Sequence, residues 1–263
     1  MPLVKPSAVA GEEPEANTKG LSAQELEVLS RLLAEQGIES SRSGPTPRAG
    51  EPGPIPLSFG QERLWFLDQL EPGKPIRQLT RAYHLLGPLD IHSLELSLNE
   101  LVRRHESLRT TFSAVDGRPL QVIAPPKPFH LPNVDLHKLP QNARWNEARR
   151  LIEQESLRPF DLSLGPLLRM SLLTIEDQDH VLLIGIHHIV TDGWSMRIFQ
   201  QELCALYNAF SAGESSPLPG LAIQYADYAL WQREWIQGEI LDRQLGYWMN
   251  QLEGAPFDLE LPS

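Results

Sequence analysis

The sequence predicts an α+β layered domain, and three observations carry that expectation. Two pairs of apolar segments flank short polar turns, as hairpins do. Segments with helical spacing lie between and after them. No internal repeat is visible.

The elements follow in chain order. Residues 1–20 mix Glu, Pro, Ala and Lys and read as a disordered leader. Residues 21–38 read as an amphipathic helix. Ser22 and Glu25 form a capping box, Leu21 can staple onto Leu26, and Leu26, Leu29, Leu32 and Leu33 make one stripe ending at Gly37. Packing onto the main domain and docking on a partner are both open roles for it, since so short a helix is marginal alone. Residues 39–56, rich in Pro and Gly, form a semi-extended linker.

The globular part spans 57–263. Asp90 caps a helix over 91–108, with Leu94, Leu98, Leu101, Val102, His105 and Leu108 on one stripe. Thr110–Val115 and Leu120–Ile123 flank Asp116-Gly117, a strong hairpin signal. Arg144–Glu155 is a helix. Leu167–Ile175 and His180–Ile189 form a second hairpin around Glu176–Asp179. Helical spacing resumes after Asp192 through Met196, Phe199, Leu203, Leu206, Tyr207 and Phe210. A Gly/Ser/Pro loop covers 211–220 and helices follow over about 223–252. The last residues, GAPFDLELPS, read as the start of a linker leading onward.

Composition narrows the function. The 263 residues carry 34 Asp+Glu against 23 Lys+Arg, a formal charge of −11, which argues against a nucleic-acid binder. Six Trp, eight Phe and five Tyr supply a sizeable core. A single cysteine, Cys204, rules out an internal disulfide framework. The N-terminus lacks the apolar run of a signal peptide, and the longest apolar stretch, Val181 to Ile186, is far too short to cross a bilayer. The expectation is a soluble, cytoplasmic protein without membrane partners.

The stretch VLLIGIHHIVTDGWSM carries the chemistry. Side chains alternate along a strand, so His187 and His188 point to opposite sides and only one faces a given cleft. An imidazole at a strand's end, beside the break at Asp192-Gly193, is placed for proton transfer near neutral pH. Other readings stand beside this one. A histidine pair ending an apolar strand can be structural, and Asp192 can simply cap the next helix. A two-histidine, one-carboxylate metal site is disfavoured because adjacent strand histidines diverge. A Ser195–His188–Asp192 triad lacks a G-x-S-x-G elbow.

Four segments together resemble a known family. His187-His188-Ile189-Val190-Thr191-Asp192-Gly193 resembles the HHxxxDG motif of chloramphenicol-acetyltransferase-like acyltransferases. Ser58 to Phe66 (SFGQERLWF) is similar to the first condensation-domain motif, SxAQxRLWF, with Gly60 for Ala. Arg104 to Phe112 (RHESLRTTF) matches RHExLRTxF, and Tyr225 to Trp231 (YADYALW) resembles YxDYAVW, with Leu for Val. The chain is thereby identified as a member of the condensation domains of nonribosomal peptide synthetases.

The resemblance covers about 55–263 and implies the first lobe of a V-shaped two-lobed domain, a mixed sheet with flanking helices. It implies amide formation between a donor acyl or peptidyl thioester and an acceptor aminoacyl thioester. His188 is then the active-site histidine and His187 its support from behind. Gly193 keeps the approach open, and Arg104 forms a salt bridge with a buried Asp192, with Arg109 nearby. Arg63, otherwise a surface charge, belongs to the supporting motifs. Trp65 and Phe66 are expected in the core, and Tyr225, Tyr228, Trp231 and Trp235 as packing.

No metal and no directly bound cofactor are implied, because substrates arrive on phosphopantetheine arms. The partners implied are donor and acceptor carrier proteins and adjacent synthetase modules. The first and third motifs look most like the subtype using L-configured donors and acceptors. If Met1 is the native start, the donor carrier sits on another polypeptide. The alternative is a non-catalytic piece that binds carriers or awaits its second lobe.

Overall fold

The computed structural model describes Val28, residues 44–48 and residues 54–256. The expected leader (1–20), the helix at 21–38 apart from the helical Val28, and much of the 39–56 linker lie outside the described residues.

Two sheets are present among them. The smaller, of order β1-β4-β3, joins β1 (Ile55–Pro56) to the hairpin of β3 (Thr110–Val115) and β4 (Arg118–Ile123). Asp116 and Gly117 have φ of 51° and 76°, the paired left-handed residues of a type I′ turn, as the Asp-Gly signal requires. The larger sheet has the order β2-β7-β6-β5, from β2 (Gln78–Leu86), β5 (Asn133–Asp135), β6 (Leu168–Glu176) and β7 (Asp179–His187). Its pairs are antiparallel except β5 with β6, so the sheet is mixed.

Six α-helices are described: α1 (Phe59–Leu70), α2 (Ile91–Arg104), α3 (Gln141–Leu157), α4 (Gly193–Ser211), α5 (Tyr225–Trp235) and α6 (Glu239–Leu252). Asp90 caps α2 by accepting from the N–H groups of His92 and Ser93. The helix expected over 91–108 stops at Arg104, because His105 leaves helical dihedrals (φ −100°, ψ 107°). A 3-10 turn, Glu106–Arg109, then keeps Leu108 in the core.

β7 lies between β2 and β6 and is buried on both faces. Leu182, Ile184 and Ile186 pack with Leu94, Leu98 and Leu101 of α2 and Phe199 and Leu206 of α4. On the other side Val181 packs with Leu173, Ile175 and Ala148 of α3. Each such aliphatic side chain contributes about 1.5–3 kcal/mol by leaving water. The layers are therefore helix, sheet, helix, and the end of β7 emerges from the core at a fixed place.

Gly185 serves this layering. A Cβ at 185 would run into the carboxylate of Glu155 on α3, which Arg169 Nε holds at 2.6 Å. Both partners are largely buried, so the carboxylate has little freedom to swing away. Gly185→Ala should cost about 1–3 kcal/mol in urea denaturation, the usual cost of overpacking. An unchanged midpoint would show that the Glu155–Arg169 pair does not hold α3 on the sheet.

Candidate active site

β7 ends at His187 because that side chain starts a turn. Its Nδ1 accepts the N–H of Ile189 at 3.1 Å, capping the 3-10 turn His188–Val190. The strand expected to reach Ile189 stops there for that reason. His187 is buried with its ring edge-on to Phe160, centroids 6.2 Å apart. Burial first, then the nearby charges of His188 and Arg77, hold it down to about 4, so it stays neutral at pH 7.

His188 is half-buried on the opposite side, where it lines a cavity of about 720 Å³. Its Nδ1 lies 3.3 Å from the carbonyl oxygen of Thr191. A carbonyl only accepts, so this contact places a proton on Nδ1, and in the neutral ring the lone pair is then on Nε2. The two adjacent imidazoles, when both are neutral, are therefore opposite tautomers: His187 accepts through Nδ1, and His188 donates from it.

Asp192 lies just beyond. Its carboxylate accepts from the Ser195 N–H and Ser195 Oγ, each at 2.7 Å, and so caps α4. The Ser195 hydroxyl, then its backbone N–H, hold Asp192 below the usual carboxylate range. This corrects the expected buried Arg104–Asp192 salt bridge, since Asp192 is exposed. Arg104 is engaged instead by Glu202, Nε to Oε1 3.1 Å, ten residues further along α4, or roughly 15 Å at 1.5 Å per residue. Arg109 is likewise elsewhere, donating to the Ala124 carbonyl and lying 3.7 Å from Glu106. Gly193 opens α4, and a Cβ on it would meet nothing.

The other motifs converge on the same cavity. Ser58 caps α1 and Gln61 completes a capping box. Gln61 is buried, and its Nε2 approaches the Ile189 carbonyl at 3.4 Å, tying α1 to the histidine turn. Arg63 is exposed on the cavity wall, with no ion pair among the described residues. Trp65 packs against the core, but Phe66 is exposed, because it lies on the outward side of α1. Gly60 has room for a Cβ, which explains why Gly can stand where the motif has Ala.

His105 Nε2 contacts Glu202 Oε2 at 2.6 Å, and both line the cavity. Tyr225 and Tyr228 of α5 add to the wall, and the Tyr225 hydroxyl bonds Ser58 Oγ at 2.9 Å. Along α5 the rings of Tyr225, Tyr228, Trp231 and Trp235 contact one another in series, as helical spacing implies.

Three contributors escape sequence reading. Glu202 sits three residues after Phe199 and four before Leu206, and a charge beside that apolar stripe was the available signal. Gln61 was signalled by the Ser-x-x-Gln box. Gln224 joins motifs by donating to the Arg104 carbonyl (3.0 Å) and accepting the Glu106 N–H (3.1 Å), with no local signal. Among the described residues no cluster of His, Cys, Asp and Glu is arranged to hold a metal ion, and no helix is long and apolar enough to cross a membrane.

Comparison with known proteins places this geometry. The family model described as Condensation domain matches residues 52–263. A linear gramicidin synthase of Brevibacillus parabrevis is 46% identical over 246 residues, covering 94% of this chain and 3% of that protein. Phosphinothricin tripeptide synthetase PhsC of Streptomyces viridochromogenes is 44% identical over 237 residues, covering 88% of this chain and 22% of that protein. The chain thus spans a small part of these relatives.

Among solved structures, the teicoplanin-biosynthesis X-domain in complex with OxyB aligns with TM-score 0.73 at 30% identity, over 85% of this chain and 49% of that one. The first condensation domain of the calcium-dependent antibiotic synthetase, in complex with a substrate analogue, aligns with TM-score 0.70 at 23% identity, over 80% and 51%.

The turn makes stability depend on pH and on the cap. The unfolded chain protonates His187 near pH 6.5 and the folded one near 4, so the penalty is absent above about pH 6.5 and grows as pH falls. Its full size is about 3 kcal/mol. His187→Asn keeps an acceptor for the Ile189 N–H and should flatten that acid limb in denaturation curves taken from pH 7 to 4. If the limb is unchanged, other groups set it. Asp192→Ala should lose about 1 kcal/mol of stability, with Asp192→Asn restoring most of it, as a cap requires. Failure of Asn to restore it would return Asp192 to an ion-pair role.

Proposed function

The chain belongs to the condensation-domain family, and on that premise we propose that it forms amide bonds between carrier-bound thioesters in nonribosomal peptide biosynthesis. The observation that carries the reading is the placement of His188. It stands at the wall of the cavity on which all four motifs converge, with Nδ1 tied to the Thr191 carbonyl and Nε2 left as the accepting nitrogen.

In this reaction the acceptor's α-amine attacks the donor thioester carbonyl. A C–N bond forms, the C–S bond breaks, the amine loses a proton and the donor arm's sulfur leaves as a thiol. A thioester is already activated, so no covalent enzyme intermediate is required. Holding amine and carbonyl in contact supplies several kcal/mol. His188 Nε2 meets the amine, either taking its proton or holding it by a hydrogen bond. His187, kept neutral by burial, fixes the turn. The Glu202 carboxylate is held between Arg104 and His105 and shapes the far wall.

The finer reading is a donor and acceptor both of L configuration, supported by SFGQERLWFLDQL and HHIVTDGWSM. Donor and acceptor carrier proteins and adjacent modules are the partners, and phosphopantetheine arms bring the substrates without a bound cofactor. The setting proposed is cytoplasmic. A second reading, a binding module without chemistry, is favoured by one observation: the aligned X-domain was solved in complex with another protein, OxyB.

Intact mass spectrometry of a loaded acceptor carrier, mixed with a loaded donor carrier and this protein, tests the two. Amide formation predicts a mass gain equal to the donor acyl group. His188→Ala should reduce its rate by about 100-fold or more without shifting the melting temperature. Undiminished transfer in that variant would remove His188 from the chemistry. Carrier capture without any mass gain would favour the binding module.

A further inference from the structure

Arg48 lies upstream of the region that matches the family, in the Pro-rich segment ahead of β1. Its guanidinium nevertheless reaches two motifs at once. Nη2 donates to both carboxylate oxygens of Glu106 at 2.7 Å, and Nη1 donates to Asp227 Oδ1 at 2.9 Å. The Arg48 backbone N–H reaches the same Oδ1 at 3.3 Å. The planar fork of arginine suits this double grip, which a lysine's single ammonium does not reproduce.

Both carboxylates depend on it. Asp227 is 4% exposed, and the Gln224 N–H reaches its Oδ2 at 2.7 Å. Glu106 is 16% exposed, and its second cation among the described residues is Arg109, at 3.7 Å. A buried carboxylate without a counter-charge is costly, so without Arg48 these two groups must separate or hydrate. Both are sequence neighbours of residues that line the cavity. Glu106 adjoins His105, Ser107 and Leu108 of the wall, and Asp227 lies between Tyr225 and Tyr228. Pro45 and Pro47 restrict the chain just before Arg48, lowering the entropy lost on docking.

We propose that Arg48 is a positioning residue: it clamps the His105–Leu108 wall to the Gln224–Tyr228 wall and thereby sets the opening of the cavity holding His188. The proposal rests on that cavity being the reaction site, but the clamp itself is measurable without any turnover.

Hydrogen–deuterium exchange by mass spectrometry on the full chain, as wild type, Arg48→Ala and Arg48→Lys, provides the test. In Arg48→Ala, amides of 105–110 and 224–229 should exchange about tenfold faster or more, the effect of losing a charge-assisted bond. Those of β6 and β7 should keep their protection. Arg48→Lys, able to satisfy one carboxylate, should fall between, and it carries the comparison if the alanine variant does not fold. Unchanged exchange in both segments would overturn the clamp. A uniform rise across the chain would overturn it too, leaving Arg48 as a contributor to global stability alone.

Discussion

His187 Nδ1 accepts the N–H of Ile189 only while the ring is neutral, and burial keeps it so down to about pH 4. That requirement fixes the turn that lifts His188 out of the sheet. The strand behind it is buried on both faces, so its last residue cannot rotate to suit a substrate. The His188 imidazole is positioned by the core, through a neighbour whose own protonation is suppressed by burial. Two adjacent histidines thus sit in different settings: one is desolvated and holds the turn, and the other stays half-buried on the cavity wall.

Around that turn, the motif segments act mainly on one another. Gln61 reaches the Ile189 carbonyl, Gln224 bridges Arg104 and Glu106, and Glu202 gathers Arg104 and His105. Most of these partners are far apart in the chain, and they are polar groups that are at least partly buried. Such groups specify one arrangement because an unpaired member is costly. The cavity's shape follows from this network as much as from the apolar core beneath it.

What the sequence made legible was local. Asp90, the Asp116-Gly117 pair and the capping role of Asp192 depend on neighbours within a turn of the chain, and each appears in the structure as short-range chemistry dictates. The β6–β7 hairpin was legible because two largely apolar runs flank a short polar turn. β2 was not, since Gln78, Thr80, Arg81 and His84 interrupt its apolar pattern and its pairing partner lies far along the chain. Ion-pair partners were the weakest inference. Arg104 had several acidic candidates, and the resemblance pointed to Asp192, whereas α4 presents Glu202 to it. Arg48 in a coil and Phe66 in an aromatic run show the same limit: exposure is decided by which face tertiary packing selects.

The most direct test is the tautomeric state of the two histidines, read by long-range proton–nitrogen NMR on the folded protein at pH 7. His188 should be protonated on Nδ1 and bare on Nε2, with His187 protonated on Nε2 and bare on Nδ1. A proton found on Nε2 of His188 would contradict this division of roles, because the nitrogen assigned to meet the amine would then be a donor.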